Sequence, residues 1–191
     1  IDRITKEQLP LPSGVRYTYV GMSEYFNELT ESMVVAIIFG LIIVFLVLSS
    51  LYESFITPIS IMLALPLSLS GAFIALAITG QSLNLFSMLG IILLLGIAAK
   101  DSILIVDFAN QNILSGMDVK DAIVKAGKER LRPIIMTSIA LMAGILPVAM
   151  ALNEASRLRQ GMGVAVFGGV ISSTLLSLII VPAIFLYVNR L

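Results

Sequence analysis

Long apolar runs alternate with short polar segments along this chain, and their lengths predict membrane helices. Five runs approach or exceed the roughly 20 residues that a helix needs to cross the hydrocarbon core. They cover residues 33–50, 58–79, 83–109, 133–152 and 161–187. The tight links at 51–57 and 80–82 make neighbouring helices antiparallel. The predicted fold is an all-α membrane bundle of five transmembrane helices.

The polar segment before the first run predicts a different structure. Val15 to Val20 alternates apolar and polar residues, which indicates a short half-buried strand. Acidic and aromatic residues after Ser23 favour an amphipathic helix that leads into the first run. Residues 1–30 lack the features of a signal peptide. We therefore expect the chain to begin within a longer protein, with its membrane domain at 31–191.

Basic residues predict the side of the membrane on which each link lies. The link 110–132 contains Lys120, Lys125, Lys128, Arg130 and Arg132. The link 153–160 contains only two arginines, so the positive-inside rule places 110–132 in the cytoplasm. The C-terminal end is then cytoplasmic and the N-terminal end lies outside. Within this link, Asp118 to Glu129 is typical of an amphipathic helix, either lying on the membrane surface or acting as a soluble linker.

Composition supports the membrane prediction and excludes several chemistries. Hydrophobic residues make up 58% of the 191 residues, against roughly 45–50% in soluble domains. The formal net charge is zero, which gives no indication of a nucleic-acid partner. The chain contains no Cys and no His, so disulfides, thiolate or imidazole metal sites and Ser/His/Asp catalysis are excluded. We expect no metal and no cofactor.

Lys100 is the main candidate functional residue because it lies deep in the third apolar run. A charge at that depth costs roughly 2.5–3.5 kcal/mol on insertion scales. Asp107 lies about 10 Å along the helix axis on nearly the same face, whereas Asp101 points well away. We therefore predict an acidic partner outside this sequence, on a missing part of the protein or another subunit. The alternative is a lysine that snorkels to the interface.

Small residues at helical spacing predict close helix packing. The last run has them at every fourth position: Gly161, Ala165, Gly169, Ser173 and Ser177. In the fourth run, Thr137, Ala140 and Gly144 share one face, which would let another helix approach. The Thr137 hydroxyl would then face that helix, or it would bond back to its own helix, as isolated membrane threonines commonly do.

Two strings of this sequence carry a family resemblance. Residues 96–109 read Gly-Ile-Ala-Ala-Lys-Asp-Ser-Ile-Leu-Ile-Val-Asp-Phe-Ala, and residues 130–138 read Arg-Leu-Arg-Pro-Ile-Ile-Met-Thr-Ser. Both resemble the resistance-nodulation-division efflux pumps, in particular the hydrophobe/amphiphile branch of Gram-negative bacteria. Leu-Tyr-Glu-Ser at 51–54 is a further match. The resemblance covers essentially the whole chain.

The resemblance implies helices eight to twelve of a twelve-helix pump, preceded at 1–30 by the end of the periplasmic porter domain. Such pumps lie in the bacterial inner membrane and exchange amphiphilic drugs for protons, driven by the proton-motive force. They form homotrimers that work with a periplasmic adaptor and an outer-membrane channel. The N-terminal half of the pump supplies two intramembrane aspartates.

The same resemblance implies roles for five residues in a proton relay. Lys100 matches the lysine that pairs with those aspartates, Thr137 the relay threonine, and Arg130 an arginine at the cytoplasmic entrance. Asp107 matches an acidic position on the cytoplasmic side. Asp101 departs from the family, which commonly has Asn there. It is either a second proton site or a local charge balance for Lys100, and we favour the charge balance.

Three other functions were weighed against export of drugs. The chain would serve as a membrane scaffold or assembly module if its small-residue ridges bound partner helices. Related lipid or secretion-linked exporters share the helix arrangement but fit the two strings less well. An intramembrane Ser/Lys hydrolase is disfavoured, because Ser102 lies nearly opposite Lys100 around the helix and no oxyanion site is indicated.

Overall fold

Helices account for nearly all of the chain that the structure describes. This computed structural model describes residues 22–63 and 65–188. Its helices are α1 (Met22–Tyr52), α2 (Ile56–Met62), α3 (Leu65–Thr79), α4 (Leu85–Leu114), α5 (Val119–Ala149), α6 (Glu154–Leu158) and α7 (Gln160–Val188). No strand occurs within those ranges. The strand predicted at 15–20 lies outside the described residues.

Within the described residues, five helical segments are long and apolar enough to cross a membrane. They are Tyr25–Tyr52, Thr57–Thr79, Leu85–Leu114, Val119–Ala149 and Gln160–Tyr187. The predicted number of spans and the all-helical fold are therefore confirmed. Few residues of the apolar window in α1 are buried, whereas about half of the corresponding window in α4 and in α7 is buried.

The segment Thr57–Thr79, which agrees with the span predicted at 58–79, contains α2 and α3. α2 ends at Met62 and α3 begins at Leu65. Pro66 lies in the first turn of α3, where its missing amide N–H is tolerated.

The link predicted at 110–132 is much shorter in the structure. α4 continues to Leu114 and α5 begins at Val119, so only four residues are non-helical. Gly116 allows the turn with a φ of +92°, and the Asp118 carboxylate caps α5 by accepting from the Lys120 amide. Pro133, which we expected to start the fourth span, lies inside α5.

The apolar face of the segment 118–129 packs on the protein itself. Ala122, Ile123 and Ala126 are buried, and the last two belong to a core cluster with Ile105 of α4 and Phe185 of α7. A separate helix lying on the membrane surface is therefore not confirmed. The segment is the first part of α5.

α7 is the central helix and packs against α3, α4 and α5. Its ridge Gly161, Ala165, Gly169, Ser173 and Ser177 is buried throughout. α7 also approaches α3 closely, since a methyl group added at Gly168 would meet the Gly71 carbonyl oxygen at 2.8 Å and also the Ala75 side chain. Backbones that touch through glycine leave no room for any other residue.

We expect Gly168→Ala to destabilise the protein, because its new methyl group must push α3 and α7 apart. Overpacking of this kind costs about 1–3 kcal/mol. The measurement is thermal unfolding of the purified full-length protein in detergent. Gly40→Ala is the matched control, since no heavy atom lies within 4 Å of its added methyl group. Equal melting temperatures for the two variants would contradict the close α3 and α7 contact.

Candidate functional site

An open groove of about 490 Å³ between α4, α5 and α7 contains two of the predicted relay residues. Lys100 of α4 and Thr137 of α5 both line it. The other lining residues are apolar or small: Leu93, Ile97, Ala140, Leu141, Gly144, Ile145 and Val166. The structure therefore brings Lys100 and Thr137 to one surface, although they are far apart in the sequence.

Lys100 occupies the middle of its helix and is exposed in this groove. At 1.5 Å per residue it lies about 22 Å from either end of α4. Among the described residues, no carboxylate lies within ion-pairing distance of its ammonium group. Lys100 thus presents an uncompensated charge to the groove.

Thr137 makes a bond within its own helix and still faces the groove. Its hydroxyl donates to the carbonyl oxygen of Ile134 at 3.0 Å. Because a hydroxyl has one proton, the Thr137 oxygen can then only accept further hydrogen bonds. An ammonium group is a donor with no acceptor capacity, so the Lys100 side chain is chemically suited to it.

The small-residue strip beside Thr137 is not covered by any helix of the described chain. Ala140 and Gly144 are exposed, and nothing lies within 4 Å of a methyl group placed on Gly144. The small side chains along this strip thus leave room for another helix to approach the groove closely.

Asp101 lies on the opposite, buried side of α4, although it is the next residue after Lys100. Its exposed fraction is 2%. Leu94, Ala98 and Ile105 share its helix face and are buried with it. The carboxyl group therefore points into the bundle and takes no part in the groove.

Arg130 and Asp107 lie apart from the groove, near the end of the bundle where α4 finishes. The Arg130 guanidinium stacks over the Phe108 ring at 4.6 Å from its centroid, a cation–π contact between α5 and α4. Its Nε is buried without a described partner. Asp107 accepts a hydrogen bond from Gln111 at 2.8 Å. Arg130 is about 10 Å from Thr137 along α5, so a water-filled path would have to connect them.

The Ser138 hydroxyl, which sequence reasoning did not single out, links α5 to α7. Ser138 and Thr174 are buried, and their hydroxyl oxygens lie 2.7 Å apart. Thr174 donates its single proton to the Val170 carbonyl at 2.7 Å, so Ser138 must be the donor to Thr174. The available signal was a pair of hydroxyl residues, one in each of two apolar runs. Spacing could not show that they meet.

The chain belongs to the AcrB/AcrD/AcrF family, whose model matches residues 1–189. It is 38% identical over 96% of its length to "Multidrug resistance protein MdtC" of Erwinia amylovora. It is also 38% identical over its whole length to "Toluene efflux pump membrane transporter TtgB" of Pseudomonas putida. The chain spans 18% of the length of each of these relatives.

These relatives are resistance-nodulation-division multidrug efflux transporters, which confirms the family that the sequence motifs resemble. Family and apolar helices together identify a multi-pass inner-membrane protein of a transporter family rather than an enzyme family.

The Ser138–Thr174 pair should show a specific pattern of stability changes. We expect Thr174→Val to lower the free energy of unfolding by about 1–3 kcal/mol, because it leaves a buried Ser138 donor without its acceptor. Ser138→Ala should cost less, since Thr174 keeps its bond to Val170. The double variant should be less destabilised than the sum of the single variants, as measured by denaturation of the full-length protein. Strictly additive effects would contradict the bond.

Proposed function

We propose that this chain forms the C-terminal membrane portion of a proton-driven exporter of amphiphilic compounds. One observation supports the proposal above the others: Lys100 lies halfway along an apolar helix, exposed in an open groove with Thr137. Family membership supports export, and the position of the lysine supports coupling to protons.

The argument starts from the energy of the charge. An isolated ammonium group in hydrocarbon is unfavourable, so intramembrane lysines face the bundle interior or a watery cavity and pair with acids. No described acid pairs with Lys100. The groove beside it is open and has small residues at Ala140 and Gly144. A helix bearing carboxylates from the N-terminal half of the pump would both fill the groove and neutralise the charge.

Protons would act by changing the partner of Lys100. Deprotonated carboxylates on the docked helix attract the ammonium group. When they bind protons they become neutral, and Lys100 then donates instead to the Thr137 oxygen. The exchange of partners moves α4 and α5 relative to the docked helix, and this motion would drive export elsewhere in the pump. Protons return to water when the carboxylates ionise again.

Arg130 and Asp107 are proposed to serve the cytoplasmic end of this path. The basic residues early in α5 support placing that end in the cytoplasm, with the C-terminal end on the same side and the N-terminal end in the periplasm. The Nε of Arg130 is buried without a described partner, which suits a site that water fills.

The proposed assembly follows from the family. Relatives named for multidrug resistance and toluene efflux support small apolar or amphiphilic substrates taken from the inner membrane or periplasm. We propose that the pump is a homotrimer and works with a periplasmic adaptor and an outer-membrane channel, with the proton-motive force in place of any cofactor.

Two of the three other functions, the scaffold and the hydrolase, find less support in the structure. A scaffold that used the α7 ridge for association is disfavoured, because α3 and α4 already cover that ridge. A Ser/Lys hydrolase is disfavoured, because the Ser102 hydroxyl is buried and donates to the Ala98 carbonyl at 3.1 Å. The Ser102 hydroxyl is therefore not accessible to a substrate.

Replacement of Lys100 tests the proposal. Lys100→Met in the full-length pump should abolish drug resistance and substrate efflux while leaving the protein inserted, because a neutral side chain cannot pair with the carboxylates. The measurements are minimum inhibitory concentrations and dye efflux, with expression checked by immunoblot. Lys125→Met, an exposed lysine of α5, is the matched control. Normal efflux by Lys100→Met would refute proton coupling through this residue.

The Thr137 hydroxyl is tested by a conservative pair of variants. Thr137→Ala removes the acceptor for the Lys100 ammonium group and should reduce efflux about 10- to 150-fold, as expected when a charged hydrogen bond of roughly 1.5–3 kcal/mol is lost. Thr137→Ser keeps the hydroxyl and should retain most of the activity. Similar efflux rates for the two variants would show that the hydroxyl has no part in transport.

A further inference from the structure

Asp101 is a buried acid that the proposed exchange between Lys100, Thr137 and the missing carboxylates does not use. It lies near the middle of α4 with an exposed fraction of 2%. No hydrogen bond to its carboxyl group comes from the part of the chain that the structure describes. A carboxylate in that position would be both desolvated and unpaired, which is strongly unfavourable.

The surroundings of Asp101 can be placed from the register of α4 and α7. Contacts from Ser87 to Gly161 and from Leu94 to Gly169 show that the two helices run in the same direction. Ser173 and Ser177 lie about one and two turns beyond Gly169 on α7, and therefore within about one turn of the level of Asp101.

The buried hydroxyls of α4, α5 and α7 near this level have already used their protons. Ser173 donates to the Val170 carbonyl, Ser177 to the Thr174 carbonyl and Ser102 to the Ala98 carbonyl. Ser138 and Thr174 donate in the chain described above. Each hydroxyl has one proton, so these groups can accept hydrogen bonds but cannot donate to a carboxylate. The environment suits a carboxylic acid, which is itself a donor.

Few charged groups face Asp101 from the packed helices. In the described ranges, α2 and α3 contain no ionisable residue, and those of α5 all precede Pro133. The remaining described ionisable side chains on the other spans are Tyr25, Glu28, Glu31 and Tyr52 on α1 and Tyr187 on α7. On α4, Asp107 is almost two turns away, and Lys100 is the adjacent residue. Lys100 is therefore the one nearby charge that favours the carboxylate, and it is directed to the groove.

We propose that Asp101 is a second proton-binding site of the membrane domain, a carboxylic acid while Lys100 is turned to the groove. Its carboxylate forms when the proton leaves to water and the Lys100 charge is close enough to compensate it. Bound protons at Asp101 and on the missing carboxylates would then be linked through one ammonium group. This reverses the charge-balance role that we favoured from the sequence. Its role in transport rests on the proposed function, but proton binding itself does not.

Infrared difference spectroscopy of the full-length protein in lipid nanodiscs tests this inference directly. At pH 7 the wild type should show the C=O stretching band of a buried carboxylic acid, and Asp101→Asn should lose it. Titration with base from pH 7 should then release about one proton fewer per chain, as expected when one titrating site is removed. Asp121→Asn, which alters an exposed acid of α5, should leave the band unchanged.

The possible outcomes separate this inference from the proposed function. An unchanged band in Asp101→Asn overturns the inference whatever Lys100→Met does to efflux. If Asp101→Asn fails to insert, Asp101→Glu keeps the acid on a longer side chain. It should shift the band in frequency, and an unshifted band likewise overturns the inference. Normal efflux by Lys100→Met with loss of the band in Asp101→Asn would leave the proton site standing and remove the proposed coupling.

Discussion

An ammonium group in the middle of an apolar helix constrains everything around it. The bilayer offers no water to solvate Lys100, and the snorkelling path from the centre of α4 is about 22 Å long, far more than a lysine side chain spans. The charge must therefore meet an acid or a watery cavity in the assembled protein. Three features of the structure suit that requirement. The groove beside Lys100 is open, the strip at Ala140 and Gly144 is exposed, and the Thr137 oxygen is able to accept a hydrogen bond.

The groove keeps its shape because the helices around it pack closely against one another. Gly168 and Gly71 bring α7 against α3, and Gly169 brings it against Leu94 of α4. Close-packed interiors do not deform continuously, so these contacts fix where α4 presents its residues. A rigid frame of three helices thus positions Lys100, while α5, attached through buried contacts such as the Ser138–Thr174 bond, brings Thr137 beside it.

Sequence reasoning found the spans, the lysine and the α7 ridge because each leaves a local signal: length, an isolated charge, or small residues at a fixed period. The ends of the helices were harder to predict from the sequence. Pro133 indicated a helix start, yet α5 continues through it, since Pro133 and Glu129 lie on an exposed face where the carbonyl that loses its bond can find another partner. Gly71 and Ala75 have the four-residue spacing of a small-residue strip, but their contact with Gly168 depends on how the two helices align, which spacing does not show.

The sides of α4 could not be assigned from the sequence either. A helix that is apolar all round has no polar face to orient it, so spacing gave the angle between Lys100 and Asp101 but not which of them is buried. The structure decides this through packing, with Leu94, Ala98 and Ile105 on the buried side. The sequence thus indicated which residues are candidates, whereas their distribution between groove and core depended on contacts made by other helices.

That distribution also limits how the two groups on α4 can communicate. Adjacent residues of a helix differ by about 100° in direction, so turning Asp101 into the groove would require a rotation that withdraws Lys100 from it. The contacts of Gly169 with Leu94 and of Gly90 with Met162 do not permit such a rotation without unpacking α4 from α7. Lys100 and Asp101 must then influence each other electrostatically, and the strength of this interaction changes with the conformation of the flexible Lys100 side chain. In a medium of low dielectric constant, a change of a few ångströms in the position of one charge is enough to alter the balance between acid and carboxylate at the other.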